Sequence, residues 1–442
     1  MTVKLPHPLI LLLVGVGLAA GLTWLLPPGE YDRRQDDATG RRVVVAGTYH
    51  RVEAAPVGVF AAVVAVPRGF VEAADVIAVI LFVGGAWVVV DRLGTLGRLV
   101  AALVGRFRRR GLLAIPVVSL FFAAMGALEN MQEEIIALVP VLLVLGRGLG
   151  VDAVTVVAMS AGAAMIGSAF GPTNPFQAGI AMKLAELPPA SGGLLRLVAL
   201  VAAFALWVAW TMRYAVKTRV TPPDDLGGAS APAALGRDIG IFALVLLPMA
   251  FYVYGALAWD WTFNELSAGF FIAGMAAGLL GGLGLAGTSG AYLDGMQSLL
   301  PAAVLVGVAR AITVVLGDGR VIDTILNGLA APLADAPASV AALLMIPVHV
   351  AIHVLVPSVS GHAVLTMPVL VPLSDLLSIS RQVTVLAYQT GAGLTDMLTP
   401  TNGALMAILL AAGVPFERWI RFALGGAGLA LLVGVAAMLV AR

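Results

Sequence analysis

The sequence predicts an all-α integral membrane protein built from two inverted repeats, each with a re-entrant hairpin and a broken transmembrane helix. Hydrophobic residues fill 60% of the 442 positions, and charged residues fill only 12%. Several apolar stretches reach the roughly 20 residues that a helix needs to cross a bilayer. The tripeptide Pro-Thr-Asn occurs twice within such sequence, at 172–174 and at 400–402. Duplicated, proline-interrupted polar segments are typical of secondary transporters whose binding site lies where broken helices meet.

A second repeated phrase keeps the same spacing. The Pro-Thr-Asn copies are 228 residues apart (400 − 172 = 228), and Pro-Val-Leu occurs 32 residues before each copy, at 140–142 and 368–370. Two phrases in one register indicate a duplicated unit rather than a chance match. We therefore expect a first half at 1–216, a linker at 217–237 and a second half at 238–442.

The first half opens with an apolar helix from Pro8 to Leu26. Mixed charges at 30–53 predict a small water-exposed hairpin, and 56–66 is too short to span and predicts an interfacial segment. A crossing helix is expected at 71–90.

Two polar interruptions come next in the first half. Two apolar arms around a polar tip predict a re-entrant hairpin at 112–147, because neither arm is long enough to cross. Two prolines at the first Pro-Thr-Asn predict a helix broken within 152–187, since proline lacks the N–H donor and clashes with the preceding turn. A helix at 194–214 closes this half.

The second half repeats this plan with helices expected at 239–258, 263–285 and 299–316, a hairpin at 340–377 and a broken helix at 382–412. The helix at 263–285 is long enough to cross, whereas its expected counterpart around Pro56 is not. This extra crossing would invert the orientation of the later segments. The arginine-rich segment 106–110 predicts a cytoplasmic side, so the first hairpin should enter from the cytoplasm and the second from outside.

Several short motifs carry a family resemblance. Three motifs match the pattern of one family: Thr23-Trp24 before Pro28-Gly29-Glu30-Tyr31, Asn174-Pro175-Phe176, and Ser358-x-Ser360-Gly361. Across nearly its whole length the chain resembles the YfcC-type family of the ion transporter superfamily, also described as C4-dicarboxylate anaerobic carrier-like or basic amino acid antiporter-like. The resemblance implies a homodimer, two opposed hairpins, two broken helices and an elevator-like movement against a static scaffold. His362, Asp396 and Asn402 depart from the family's pattern.

The polar residues at the breaks and hairpin tips predict the binding site. A half-helix that stops within a membrane leaves free N–H groups at one end, which suit anions, and free C=O groups at the other, which suit cations. We expect Na⁺ near Asn174 and Asn402; the alternative is that these side chains only cap helix ends. The candidate substrate-binding residues are Asn130, Thr173, Asn174, Arg310, Ser358, Ser360, Thr401 and Asn402, and the candidate cation- or proton-coupling residues are Gln132, Glu133, Glu134, Ser168, Asp396 and Thr399.

Ionisable groups within apolar sequence are costly, at about 2.5 to 3.5 kcal/mol each at mid-membrane, so they must pair, protonate or face a cavity. Arg310 could bind a substrate carboxylate or form a structural ion pair, and the ion pair is favoured. His349 and His353 have the i, i+4 spacing of metal ligands but lack a neighbouring glutamate. We interpret them as core histidines.

These features predict an ion-coupled secondary active transporter, coupled to Na⁺ or H⁺, for a small anionic or zwitterionic solute, a carboxylate or an amino acid. The expected location is the inner membrane, as a multi-pass protein. No nucleic-acid partner, cofactor or catalytic motif is indicated, so the chain is not expected to be an enzyme. A passive channel or uniporter and an intramembrane enzyme are the alternatives.

Overall fold

The structure, a computed structural model, describes residues 7–36, 41–99, 111–172, 174–188, 191–220, 235–259 and 261–441. Within these residues the chain is almost entirely helical, with two small two-stranded sheets near its start. The predicted all-α membrane class is confirmed at this level. The basic segment at 106–110 and most of the expected linker lie outside the described residues.

Membrane-spanning potential is distributed along the whole described chain. By length and composition, nine of the described helices could cross a membrane: Pro8–Leu25, Ala74–Arg92, Ala153–Phe170, Gly193–Lys217, Phe263–Gly281, Gly284–Asp318, Ala338–Leu355, Val359–Leu376 and Phe416–Val440. These helices are those of a multi-pass membrane protein.

The elements of the first half occur in the predicted order. They are α1 Pro8–Leu25, β1 Gly29–Glu30, β2 Arg33–Asp36, β3 Arg41–Val44, β4 His50–Arg51, α2 Val59–Glu72, α3 Ala74–Arg92, a 3₁₀ turn Gly111–Leu113, α4 Ala114–Glu129, α5 Glu133–Leu149, α6 Ala153–Phe170, a π-helical turn Pro175–Gly179, α7 Ile180–Leu184 and α8 Gly193–Lys217.

The second half contains longer helices. They are α9 Leu235–Ala258, α10 Phe263–Gly281, α11 Gly284–Asp318, α12 Ile322–Ala334, α13 Ala338–Leu355, α14 Val359–Leu376, α15 Arg381–Thr395, α16 Gly403–Ala411 and α17 Phe416–Val440.

The broken-helix elements keep the register of the repeated phrases. Helix α6 begins at Ala153 and α15 at Arg381, and their continuations begin at Pro175 and Gly403 (381 − 153 = 228; 403 − 175 = 228). The same shift aligns α2 and α3, residues 59–92, with 287–320 and hence with α11. The inverted orientation of the two halves stays a prediction.

This alignment shows which part of the first half corresponds to the extra crossing helix of the second half. Helix α10 aligns with 35–53, where the first half has short strands, and not with the segment around Pro56. The sequence-based pairing of α10 with that segment is therefore wrong. The segment itself is part of α2, which packs along α11, and a Cβ atom at Gly69 would overlap the backbone of Gly307.

The helices pack as two groups, and each half contributes to both. We call α1–α3 and α9–α11 the long-helix group, because α2, α3 and α1 pack along α11, and α10 packs on α3. We call α4–α8 and α13–α17 the hairpin group, which is held together by α4 on α6, α13 on α15 and α8 on α17. The groups meet where α3 contacts α5 and where α11 contacts α16.

The strand region docks on the start of α12. The Tyr31 N–H donates to Asp323 Oδ2 over 2.9 Å, and Arg33 pairs with Asp323 Oδ1 at 2.9 Å. Burial, with a smaller contribution from Asp323, raises the pKa of Tyr31 to about 12. The hydroxyl therefore stays protonated at neutral pH and donates to Asn327 Oδ1 at 3.0 Å. The predicted exposed hairpin is thus tied to the second half.

Helices α4 and α6 approach each other closely through glycine. A Cβ at Gly126 would overlap the Ala164 carbonyl, and a Cβ at Gly167 would overlap the Ala123 carbonyl. Small residues at helix contacts allow such close backbone approach in membranes. This contact fixes the first hairpin against the first broken helix.

We expect Gly126→Ala to destabilise the protein, because the added methyl group has no room. Overpacking costs about 1 to 3 kcal/mol, which thermal unfolding in detergent should show as a lower melting temperature. Gly17→Ala is the matched control, since a Cβ at Gly17 in α1 meets nothing within 4 Å, and its higher helix propensity should leave stability unchanged or improved. Equal melting temperatures for both variants would contradict this packing.

Candidate solute and ion site

A cavity of about 450 Å³ lies between the two helix groups. The long-helix group contributes the α2–α3 junction, the α9–α10 loop and the middle of α11. The hairpin group contributes both hairpin tips and both helix breaks. The described lining residues are Glu72, Ala73, Asp75, Val76, Asn130, Gln132, Glu133, Phe176, Tyr252, Trp261, Thr262, Phe263, Val306, Ala309, Arg310, Thr313, Pro357, Ser358, Val359, Ser360, Asp396, Thr401, Asn402, Gly403 and Ala404.

Most of the residues predicted for the site line this cavity. The predicted residues on its wall are Asn130, Arg310, Ser358, Ser360, Thr401, Asn402, Gln132, Glu133 and Asp396. Asn174, Ser168, Glu134 and Thr399 are buried behind the wall instead. Thr173 lies outside the described residues. The roles assigned to all of these residues remain predictions.

Both asparagines of the repeated phrase cap a helix. Asn174 Oδ1 accepts from the N–H groups of Phe176 and Gln177 at 3.0 and 2.9 Å. Asn402 Oδ1 accepts from the Leu405 N–H at 3.0 Å. These bonds satisfy backbone donors that the breaks leave free. In this structure both side-chain oxygens therefore act as helix caps, which is the alternative to cation binding.

The first break is joined to the first hairpin tip by a buried polar cluster. Asn130 adopts left-handed backbone angles, φ 62° and ψ 35°, and ends α4. Its side-chain oxygen is hydrogen-bonded to Ser168 and lies 3.4 Å from Asn174 Nδ2. Asn174 Nδ2 also donates to the Gly126 carbonyl at 2.9 Å. The cluster holds Asn130 at the cavity wall.

Asp396 is the centre of the second cluster. Its two carboxylate oxygens accept from Gln132 Nε2 at 3.0 Å and from Asn402 Nδ2 at 2.8 Å. Asn402 Nδ2 also reaches Gln132 Oε1 at 3.2 Å. His353 Nε2 lies 2.8 Å from Asp396 Oδ1. One carboxyl group thus links the first hairpin tip, the second break and α13.

The histidines are buried, as the core interpretation expects, but they are also hydrogen-bonded in series. His353 Nδ1 lies 3.2 Å from His362 Nδ1, and His362 Nε2 lies 2.8 Å from His349 Nδ1. All three are fully buried. Sequence analysis noted His349 and His353 at i, i+4 but did not connect them to His362, which lies across the hairpin.

Acidic groups outnumber basic groups on the cavity wall. Among the described lining residues, carboxyl groups come from Glu72, Asp75, Glu133 and Asp396, and the guanidinium comes from Arg310. Arg310 Nε pairs with Glu72 Oε2 at 3.1 Å, and both side chains are partly exposed. An ion pair was favoured for Arg310, although Glu72 was not identified as its partner.

Glu72 and Asp75 were missed, although a signal existed. They flank the α2–α3 junction at Ala73, which the 228-residue register aligns with Pro301 in α11. The helix is interrupted here only in the first half, because α11 continues through Pro301. The available signal was the pair of acidic residues within otherwise apolar sequence, which must face a partner or a cavity.

Several described helix N-termini also open onto the cavity. Gln132 and Glu133 begin α5, Ser358 caps α14 through the Gly361 N–H, and Asn402 caps α16. Free N–H groups and the helix dipole favour negative charge at such ends. The long-helix group adds the N-termini of α3 at Ala73 and of α10 at Thr262, and it also carries the carboxyl groups of Glu72 and Asp75.

The chain is similar to known transporters over its full length. The family model described as C4-dicarboxylate anaerobic carrier matches residues 5–442. YfcC of Escherichia coli (strain K12), a proposed basic amino acid antiporter, is 29% identical over 468 residues, covering 94% of this chain and 92% of YfcC. An uncharacterised protein of Haemophilus influenzae is 26% identical, covering 98% and 96% of the two chains. The family resemblance read from the motifs is confirmed.

Two solved transporter structures are also similar. The YdaH transporter of Alcanivorax borkumensis gives a TM-score of 0.45 at 18% identity, covering 98% of each chain. MtrF of Neisseria gonorrhoeae, from a class of antimetabolite efflux pumps, gives a TM-score of 0.45 at 17% identity, covering 98% of this chain and 94% of MtrF.

Because the chain contains no native cysteine, accessibility of the cavity can be tested with single cysteines. We expect Ser360→Cys, on the cavity wall, to react with a small water-soluble methanethiosulfonate reagent in detergent. Thr399→Cys, only 2% exposed in the neighbouring break, should react far more slowly. Equal labelling rates for the two would show that the cavity is not placed as described.

Proposed function

Because the chain belongs to the C4-dicarboxylate anaerobic carrier family and encloses a charged cavity between two helix groups, we propose that it is an ion-coupled secondary active transporter for an amino acid. The family and the named relatives are transporters, so the chain is a transporter and not an enzyme. The observation that supports an amino acid as the substrate is the cavity, because both helix groups place charged side chains on its wall.

The charge balance of the cavity favours a solute that carries a positive group. A dicarboxylate would bring two negative charges to a wall with four carboxyl groups and a guanidinium that Glu72 already pairs. Like charges held within a few ångströms repel strongly where water is scarce. An ammonium or guanidinium group would instead be attracted to Glu72 and Asp75.

The same wall can hold the carboxylate of an amino acid. The N-termini at Ser358 and Asn402 offer N–H groups and a favourable dipole for one carboxylate. Phe176, Tyr252 and Trp261 also line the cavity, and aromatic faces attract cationic groups. A basic amino acid satisfies both sides at once, which agrees with the activity proposed for YfcC.

The arrangement of helices supports an elevator-like transport cycle. The cavity lies at the boundary between the groups, so movement of the hairpin group along the long-helix group would carry a bound solute from one side of the membrane to the other. The hairpins, re-entrant and opposed in this proposal, would cover the site from each side. We propose a homodimer in the inner membrane, coupled to Na⁺ near Asn174 and Asn402 or to H⁺.

A dicarboxylate is the second candidate substrate. The family's description names C4-dicarboxylates, and several helix N-termini together with Arg310 open onto the cavity. This candidate requires that Glu133 or its neighbours be protonated when the solute binds. A passive uniporter remains the alternative mechanism.

Purified protein in proteoliposomes tests the proposal directly. We expect radiolabelled L-lysine or L-arginine to accumulate above its equilibrium level when a pH gradient, a Na⁺ gradient or a preloaded amino acid provides the driving force, whereas succinate does not. Accumulation of succinate but not of lysine or arginine would show that the substrate is a dicarboxylate. Equilibration of lysine without accumulation under every driving force would indicate a uniporter.

A pair of variants tests the role of the acidic wall. Asp75→Asn should weaken lysine uptake, because it removes a carboxyl group that faces the solute cavity, with the loss appearing mainly as a higher KM. Asp294→Asn is the matched control. Asp294 forms an exposed ion pair with Arg92, with an N–O distance of 2.8 Å, and neither residue lines the cavity. If both variants transport lysine as the unmodified protein does, the acidic wall does not bind the solute.

A further inference from the structure

A continuous chain of hydrogen bonds leads away from the cavity wall into the hairpin group. It runs from Asp396 to His353, then to His362, then to His349, with successive heavy-atom separations of 2.8, 3.2 and 2.8 Å. We call these four residues the histidine relay. Asp396 is at the cavity, and the three imidazoles are fully buried between α13 and α14.

The geometry of the relay differs from that of a metal site or of ordinary core packing. Its nitrogens pair with one another instead of converging on one point, and among the described residues no group of three acidic or histidine side chains is placed to hold a metal. The outer nitrogen of the last member, His349 Nε2, is buried without a hydrogen-bond partner. A buried polar atom without a partner is costly, and this one stands at the end of the chain that is remote from the cavity.

Titratable groups around the relay are few among the described residues. Tyr388 of α15 packs against His349 and His362, with ring centres 5.4 and 5.3 Å away, and its hydroxyl donates to the Val359 carbonyl. On the cavity side, Glu133 of the first hairpin faces Asp396, with Glu134 and Asp75 beside it. The relay thus ends at a carboxyl group that touches the solute cavity.

We propose that the histidine relay carries the coupling proton of this transporter to Asp396, and that protonation of Asp396 changes the charge that the cavity presents to the solute. This inference rests on the proposed transport function and names its coupling ion as H⁺. Chains of Asp, Glu and His within membrane segments are a known physical means of moving protons. Histidine suits this task because both ring nitrogens can donate or accept.

The proton balance can be written for each bond. With Asp396 ionised, His353 carries its proton on Nε2, while His362 and His349 carry theirs on Nδ1, and His349 Nε2 is bare. A proton that binds His349 Nε2 lets its Nδ1 proton pass to His362 Nε2. The His362 Nδ1 proton then passes to His353 Nδ1, and the His353 Nε2 proton passes to Asp396. One proton enters, one carboxyl group is neutralised, and every imidazole is neutral again.

This transfer also affects the hairpin tip and the second break. The Asp396 oxygens that accept from Gln132 and Asn402 lose negative charge when the carboxyl group is protonated, so both bonds weaken. Charge-assisted hydrogen bonds are roughly twice as strong as neutral ones. Protonation therefore loosens the link between the first hairpin tip and the second break beside the solute.

Transport by His362→Gln separates proton coupling from solute movement. Glutamine keeps hydrogen-bonding capacity but cannot pass a proton through a ring. In proteoliposomes we expect lysine exchange without a gradient to persist in this variant. Accumulation driven by a pH gradient should fall about a hundredfold, the lower end of what a positioned proton-transfer group contributes. Thr384→Val is the matched control, a buried residue of α15 whose hydroxyl bonds Ser374, and it should keep both activities.

Infrared difference spectra of the purified protein between acidic and alkaline pH test the relay without any solute. We expect a protonated-carboxyl band that Asp396→Asn removes, that His353→Gln shifts in frequency, and that Thr384→Val leaves unchanged. A protonated-carboxyl signal that is the same in Asp396→Asn as in the unmodified protein, or full pH-driven accumulation by His362→Gln, would overturn the relay. If no solute is transported but the infrared pattern is as expected, the proposed function fails and the proton site stands.

Discussion

The satisfaction of backbone groups at the two helix breaks is the constraint on which the rest of the structure depends. A break within a membrane leaves N–H and C=O groups that lipid cannot bond, so such breaks occur only where protein or enclosed water surrounds them. Asn174 and Asn402 meet this requirement by capping the helices that come after them. Because the caps need neighbours, each break is packed against a hairpin, and the hairpin tips are brought to one cavity. The cavity is a consequence of this arrangement.

The polar clusters of the two halves differ in how they contact the cavity. In the first half, Asn130, Ser168 and Asn174 bond one another and face the cavity only through Asn130. In the second half, Asp396 bonds outward to the cavity residues Gln132 and Asn402 and inward to His353. This asymmetry between halves of similar architecture suggests that the first cluster is structural and that the second carries ion coupling.

Local sequence was enough to locate the breaks and the hairpin tips, because proline and clustered polar residues within an apolar stretch are costly for an unbroken membrane helix. It was also enough to select Arg310, Ser360 and Asp396 as candidate residues, because polar and charged side chains within apolar sequence are costly unless they face a cavity or a partner. It did not reveal the Glu72 partner of Arg310 or the link from His353 to His362, since both contacts join segments whose approach depends on tertiary packing. The pairing of α10 with the segment around Pro56 failed because the first half has short strands at the positions that align with α10.

Relative movement of the two helix groups is the central claim, and a disulfide across their boundary tests it most directly. A Cβ at Gly403 in α16 would lie 3.0 Å from the Ala309 Cβ in α11 and 2.9 Å from the Val306 Cα, closer than the roughly 3.8 Å typical of disulfides, so α16 must move slightly away from α11 to accept the pair. The chain has no other cysteine to interfere. In the Ala309→Cys, Gly403→Cys double variant, the account predicts that oxidation stops lysine exchange in proteoliposomes and that reduction restores it. Unchanged exchange in fully cross-linked protein would show that the solute crosses without movement between the groups.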